Sequence, residues 1–347
     1  MKIVDAQLLW SAEPGWLNTA SNGLPPTPAW EALQAALLEW RSGTGSWETW
    51  SESTQRSREL FARLVGVRAD QVAVGATVSE LIGLVAAGVP DRARVVVAEG
   101  DFTSLLFPWL VHADRGVDVH PVPVDRLADA VDRATTVVAF SLVQSATGQI
   151  ADLDAIVAAA RAHDALVVVD ATQACGWLPV SAAEVDALAC GGYKWLMAPR
   201  GSAFLAVSDR LADRLRPLHA GWFAGHDVHA SYYGLPLRLA GSARRFDTSP
   251  AWFSWVGTAP ALEVIEQIGI ETIHAHNVAL ANRFRAGLGL AEGRSAIVSA
   301  AIPDADRKLA AAGIRAAARA GQLRVSFHIY STDNDVDTAL TALADDR

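Results

Sequence analysis

Leu166-Val167-Val168-Val169 runs without a polar break into Asp170. A strand with one wet face alternates apolar and polar residues, so an unbroken β-branched run of this kind marks a strand covered on both sides. Other runs that read as strands stand at 95–98, 136–140 and 202–207, with the alternating Val117-Asp118-Val119-His120 and a shorter apolar run at 71–74. Helical patterns fill the gaps: Asp152-Leu153-Asp154, for example, opens an Ala-rich helix that ends near His163, with its acids in the first turn where the helix dipole favours them. Strand and helix in alternation imply an α/β chain built on a mostly parallel sheet wrapped by helices. Ligands of such sheets gather at the carboxyl ends of strands, and Asp170 stands at one of those ends.

With 347 residues, 51% of them hydrophobic, the chain exceeds one ordinary compact domain. The expected division is an N-terminal segment (1–22) that covers the active site, a large domain (23–250) and a small C-terminal domain (251–347). The small domain is expected to hold a long helix from Gly257, a strand at 295–300, helix-prone sequence at 309–320, a strand around Arg324 and a last helix from Asp333. Residues 214–250 read as a long functional loop region. The net charge of −9 has both signs interleaved, which argues against nucleic acid or an anionic membrane as partner. No apolar run is long enough to span a bilayer. Cys175 and Cys190, the only two cysteines, are too few for a disulfide framework or a metal cage, so a cytoplasmic protein is expected. His219, His226, His229, His274 and His276 have no acidic or cysteine partners to complete a ligand set, so no metal is expected. Half of the 12 tryptophans (Trp10, Trp16, Trp30, Trp40, Trp47, Trp50) fall near the N-terminus and are expected mostly to anchor the core.

Downstream of Asp170 lies Gly191-Gly192-Tyr193-Lys194-Trp195-Leu196. A strand-end carboxylate followed by such a lysine suits pyridoxal phosphate (PLP). The cofactor draws electrons from a substrate's α-carbon into a pyridinium ring, whose proton a carboxylate can hold by a charge-assisted hydrogen bond. The amine would carry the aldehyde and, when released by substrate, move protons. Taken singly, the two residues are better explained as a strand-end Asp and a surface Lys that never meet.

The stretch from Val167 through Gln173-Ala174, together with Tyr193-Lys194-Trp195-Leu196-Met197-Ala198-Pro199-Arg200-Gly201, resembles the class V aminotransferase family of fold-type I PLP enzymes. That family includes cysteine desulfurases, kynureninases, isopenicillin-N epimerases and hercynylcysteine sulfoxide lyases. The resemblance extends from Asn18-Thr19-Ala20-Ser21 to Leu323-Arg324-Val325-Ser326-Phe327-His328. It implies a seven-stranded sheet, a smaller α+β C-terminal domain and a homodimer with shared active sites. It also assigns roles. Lys194 is the catalytic lysine and Asp170 the partner of the ring nitrogen. Ala76 and Thr77, in Gly75-Ala76-Thr77-Val78-Ser79-Glu80, form the phosphate cup, where a helix start already offers free N–H groups. Phe102 stacks on the cofactor ring, Gln173 bonds its phenolic oxygen and Tyr193 reaches its phosphate. Thr248 or Ser249 closes the partner subunit's phosphate site. Arg324 binds the substrate carboxylate, with Asn18 and Tyr232 as further substrate contacts.

Phe102 and Tyr193 stand where desulfurases carry histidines and resemble kynureninase instead. No cysteine follows Cys190 to accept sulfur. The reading is therefore a lyase that cleaves a C–S or C–C bond in the side group of a small amino acid, with Tyr232, Tyr233, His226 or His229 as an acid for the leaving group. The alternative is an aminotransferase; an epimerase, a specialised biosynthetic enzyme and a non-catalytic PLP-fold protein rank below it.

Overall fold

The buried runs become one sheet. The computed structural model describes residues 1–344. In it, β1 (Val72–Gly75), β2 (Arg94–Ala98), β3 (Asp118–Val122), β4 (Val137–Ser141), β5 (Leu166–Asp170), β6 (Ala187–Gly191) and β7 (Ala203–Val207) are ordered β1-β7-β6-β5-β4-β2-β3. β7 is antiparallel to both neighbours and the remaining pairings are parallel. β5 is buried along its whole length and its residues divide between two cores: Val167 and Val169 face helix Leu153–Ala162, whereas Leu166 and Val168 face helices Val78–Ala87 and Thr103–Leu110. Edge strand β3 is the exposed one, and Pro121 and His120 within it discourage pairing with another chain. β6 leaves little trace in the sequence, because Ala187-Leu188-Ala189-Cys190-Gly191 has little β propensity. Pairing with β5 and β7 on either side holds it in the sheet.

A second, antiparallel sheet of β8 (Ile297–Ala300), β9 (Ala317–Arg319) and β10 (Gln322–Ser326) has the order β8-β10-β9. The N-terminal segment docks beside it: Leu17 donates to the Arg315 carbonyl at 3.0 Å, and Ser326 donates to the Leu17 carbonyl at 2.9 Å. Two expectations need correction here. Residues 309–320 are not one helix: helix Ala305–Ala311 ends at Gly313, whose φ of 76° suits glycine, and Ala317–Arg319 then pairs with β10. The long helix begins at Trp252, before Gly257, and breaks into Trp252–Ile268 and Ile270–Gly287 at Gly269, where φ is 88°. Helix Trp252–Ile268 packs against helices Thr27–Ser42 and Trp47–Leu64 through Val256, Ala36 and Trp50. Trp109, Trp177, Trp195 and Trp255 are buried, while Trp30 and Trp40 lie more than half exposed at 55% and 64%.

Candidate active site

β5 delivers Asp170 to a cleft that Ala76, Thr77, Phe102, Tyr193 and Lys194 also line. Asp170 is buried, and one carboxylate oxygen accepts from the Thr172 amide at 2.8 Å. The Thr172 hydroxyl in turn accepts from the Gly191 amide at 3.0 Å, tying the end of β5 to the end of β6. Burial pushes the Asp170 carboxyl above its ordinary value, and Thr172 and the charge of Lys194 offset part of that.

Lys194 follows β6 on a turn that only small residues allow. A side chain at Gly192 would meet the Ser202 hydroxyl at 2.5 Å, and one at Gly23 would meet the Lys194 carbonyl oxygen at 1.9 Å. Gly23 donates to the Tyr193 carbonyl at 3.0 Å, so the N-terminal segment lies directly on the lysine's backbone. Burial lowers the Lys194 pKa to about 8, Arg324 and Arg319 push the same way, and Asp170 opposes them. The amine sits 5.2 Å from the centre of the Phe102 ring and 5.6 Å from that of Tyr193. Asp101 fixes Phe102 in place by accepting from its amide at 2.7 Å and from the Ser141 amide and hydroxyl at 2.7 and 2.5 Å.

At the other end of the cleft, Thr77 caps helix Val78–Ala87 by accepting from the Glu80 amide at 3.3 Å. The Ala76 amide donates to the Glu80 carboxylate at 2.9 Å. A protein carboxylate thus holds one donor that the family resemblance assigns to phosphate. Arg200, Ser79 and Ser202 line this end as well, with the Arg200 guanidinium 5.1 Å from the centre of the Tyr193 ring. Sequence reading gives these three no role. The signal for Arg200 is a cation on the loop just past the lysine, in Pro199-Arg200-Gly201. Burial raises the Tyr193 hydroxyl pKa while Arg200 opposes it.

Arg324, from β10, is 1% exposed. It donates to the Ser145 carbonyl at 2.7 Å and to the Ser21 hydroxyl at 2.7 Å, and its Nε is buried without a partner. Among the described residues no carboxylate pairs with it. A charge buried in this way strongly favours an anion that reaches it. Burial and Arg319 lower its pKa to about 10.

Arg324 and the remaining candidates lie outside the residues lining the Lys194 cleft, although Arg324 is near enough for its charge to act on the Lys194 amine. The Gln173 amide donates to the Ala20 carbonyl at 2.9 Å and the Ser145 hydroxyl at 3.0 Å and accepts from the Trp195 indole at 2.7 Å, so its polar atoms already have protein partners. Asn18 lines a different surface cleft with Trp16 and Arg315. Tyr232 lies on an outer loop, its hydroxyl 3.0 Å from His229 Nδ1 and its ring beside Trp47 and Trp222. Tyr233, His226 and His229 share that loop and do not line the cleft either. Thr248 and Ser249 follow Asp247, which is buried in an ion pair with Arg58 at 2.6 Å and accepts from the Val74 amide at 2.9 Å. Cys175 and Cys190 are both buried. A roomier cleft is lined by Trp10, Ser11, Ala12, Leu24, Pro25, Thr27 and Trp30, without a charged side chain among the described residues.

A family model described as aminotransferase class-V matches residues 41–309. The protein is 29% identical over 321 residues to the uncharacterized aminotransferase YcbU of Bacillus subtilis, a match spanning 86% of its own length and 85% of the relative's. It is 28% identical over 296 residues to a probable cysteine desulfurase of Methanothermobacter thermautotrophicus, spanning 80% of its own length and 73% of the relative's. Among solved structures, a C-DES mutant with glycine linked covalently to the PLP cofactor superposes with a TM-score of 0.87 at 21% identity, over 96% of this protein and 97% of that one.

Proposed function

The protein belongs to the aminotransferase class-V family and is a pyridoxal-phosphate-dependent enzyme, and we propose that it is a lyase that cleaves a C–S or C–C bond in the side group of an α-amino acid. When bound, PLP supplies a sink for the electrons released at the substrate's α-carbon. The residues fit it: a buried carboxylate raised by desolvation gains from a cation set against it, and a buried amine lowered to about 8 supplies the neutral form that condenses with an aldehyde. In this reading Asp170 holds the ring-nitrogen proton, Lys194 holds the aldehyde carbon, and Phe102 lies against the ring. Thr77, the first-turn amides beyond it, Tyr193 and Arg200 hold the phosphate. Gln173 steadies the phenolic side through the N-terminal segment and Ser145. Thr248 or Ser249 reaches the partner's phosphate site in a homodimer.

One observation carries the lyase reading over sulfur transfer: the amine of Lys194 stands against a ring, Phe102, that has no ionisable hydrogen, and both cysteines are buried. Transfer of sulfur to a mobile thiol has no acceptor. Proton movement at the α-carbon falls to Lys194, and with Tyr232, Tyr233, His226 and His229 on the outer loop, so does proton delivery to the leaving group. Arg324 holds the α-carboxylate. The test is to incubate the purified holoenzyme with L-amino acids bearing sulfur or acyl leaving groups and no added keto acid. Ammonia and a shortened keto acid, or a shortened amino acid from C–C cleavage, support the lyase. Similarity to YcbU favours a second reading, transamination, in which product forms only when a keto acid is supplied and the amino group moves to it.

A further inference from the structure

Two guanidinium groups meet at one hydroxyl, close enough to Lys194 for both charges to act on its amine. Arg324 Nη2 donates to Ser21 Oγ at 2.7 Å, and Arg319 Nη2 donates to the same oxygen at 3.2 Å. They come from neighbouring strands: Arg319 lies on β9 opposite Gln322, and Arg324 on β10 opposite Ala317. The two cations differ in setting. Arg324 is 1% exposed, with its Nε buried and unpartnered, while Arg319 is exposed and otherwise donates only to the neighbouring Ala318 carbonyl, at 2.8 Å. Neither forms an ion pair with a carboxylate among the described residues. Like charges brought together with only a serine hydroxyl between them raise each other's energy, and an anion is what relieves this.

Resting on the assignment of Arg324 to the α-carboxylate, we propose that Arg319 is a specificity-determining residue that recognises a second acidic group on the substrate's side chain. The preferred substrate class is then an α-amino acid whose side group ends in a carboxylate, sulfinate or sulfonate. The division follows from exposure. The buried fork of Arg324 suits the part common to every amino acid. Arg319, exposed on a long side chain, reaches a group whose position varies with the length of the substrate. Cationic substrates are disfavoured because Arg324 and Arg319 already set two positive groups at one hydroxyl.

Paired probes test this on the holoenzyme: L-glutamate against L-glutamine and L-aspartate against L-asparagine, with binding followed through the cofactor's visible absorption and through tryptophan fluorescence. The wild type is expected to bind the acid of at least one pair roughly tenfold or more tighter than its amide, the size of one charge-assisted hydrogen bond. In Arg319→Gln the acid-to-amide ratio falls to near one, and in Arg319→Lys much of it returns. A ratio unchanged in Arg319→Gln overturns the proposal, as does equal weakening of acid and amide, which would mean that Arg319 only assists at the α-carboxylate. Arg324→Gln separates the two readings, because it is expected to weaken acid and amide alike while keeping their ratio. If Arg324→Gln leaves both affinities unchanged, the α-carboxylate assignment falls, while the ratio in Arg319→Gln still reports on Arg319 alone.

Discussion

The two sheets set opposite kinds of side chain near Lys194. At the carboxyl ends of the large sheet, acids are tied into the backbone: Asp101 accepts from Phe102 and Ser141, Asp170 from Thr172, and Thr172 from Gly191. The small sheet offers Arg319 and Arg324, cations held by serines and carbonyls without a carboxylate partner among the described residues. The first side is stable as it stands and serves to place a group that stays. Charge on the second side is compensated only by a molecule that comes and goes, as a substrate must.

Removing the central amine is the most severe way to break the comparison. Lys194→Ala should lose the visible band of a covalently held cofactor and roughly 10²–10⁴-fold in turnover, read by absorbance and product formation. A variant that kept both would detach the large sheet from the chemistry. Next in size is the buried Arg58–Asp247 pair, which joins helix Trp47–Leu64 to β1 and fixes the start of the segment carrying Thr248 and Ser249. Asp247→Ala leaves a buried guanidinium unpaired and should lower stability by roughly 3–5 kcal/mol in urea unfolding.

The pH dependence of cofactor uptake then sharpens the electrostatics. With the Lys194 pKa lowered to about 8, its amine is protonated below that pH and neutral above, so the rate of reconstitution of cofactor-free enzyme should climb through about 8 and level off. An ordinary lysine would keep climbing well beyond. Because the charge of Asp170 raises the Lys194 pKa, Asp170→Asn should move the inflection lower. The smallest effect concerns Glu80, whose carboxylate occupies the Ala76 amide. Glu80→Gln removes a like charge from the phosphate end, and equilibrium dialysis should show PLP held a few-fold more tightly, in keeping with the roughly 0.3–1 kcal/mol of a charge at a helix N-terminus.

Strands with continuous apolar runs are legible from the amino acids alone, since burial on both faces leaves a direct trace in composition. β6 is not, because its alanines and cysteine suit close packing, and pairing rather than propensity holds them extended. The site divides similarly. Asp170, Lys194, Thr77, Phe102 and Tyr193 follow strand ends or open helices, so their convergence follows from the fold. The contacts of Gln173 are not legible, because the Ala20 carbonyl that takes its amide is distant in sequence. Arg319 is hidden in alanine-rich sequence that looks helical, and only the strand pairing after Gly313 brings it beside Arg324.

The buried, unpartnered Nε of Arg324 has a thermal consequence. Desolvating a donor without a partner subtracts roughly 1–3 kcal/mol from the folded protein, and an anion that satisfies it returns that free energy in proportion to the logarithm of its concentration. Melting temperature therefore becomes a reporter of substrate chemistry. Compounds that raise it in the wild type but not in Arg324→Gln mark out the acids this pocket accepts before any reaction has been assigned.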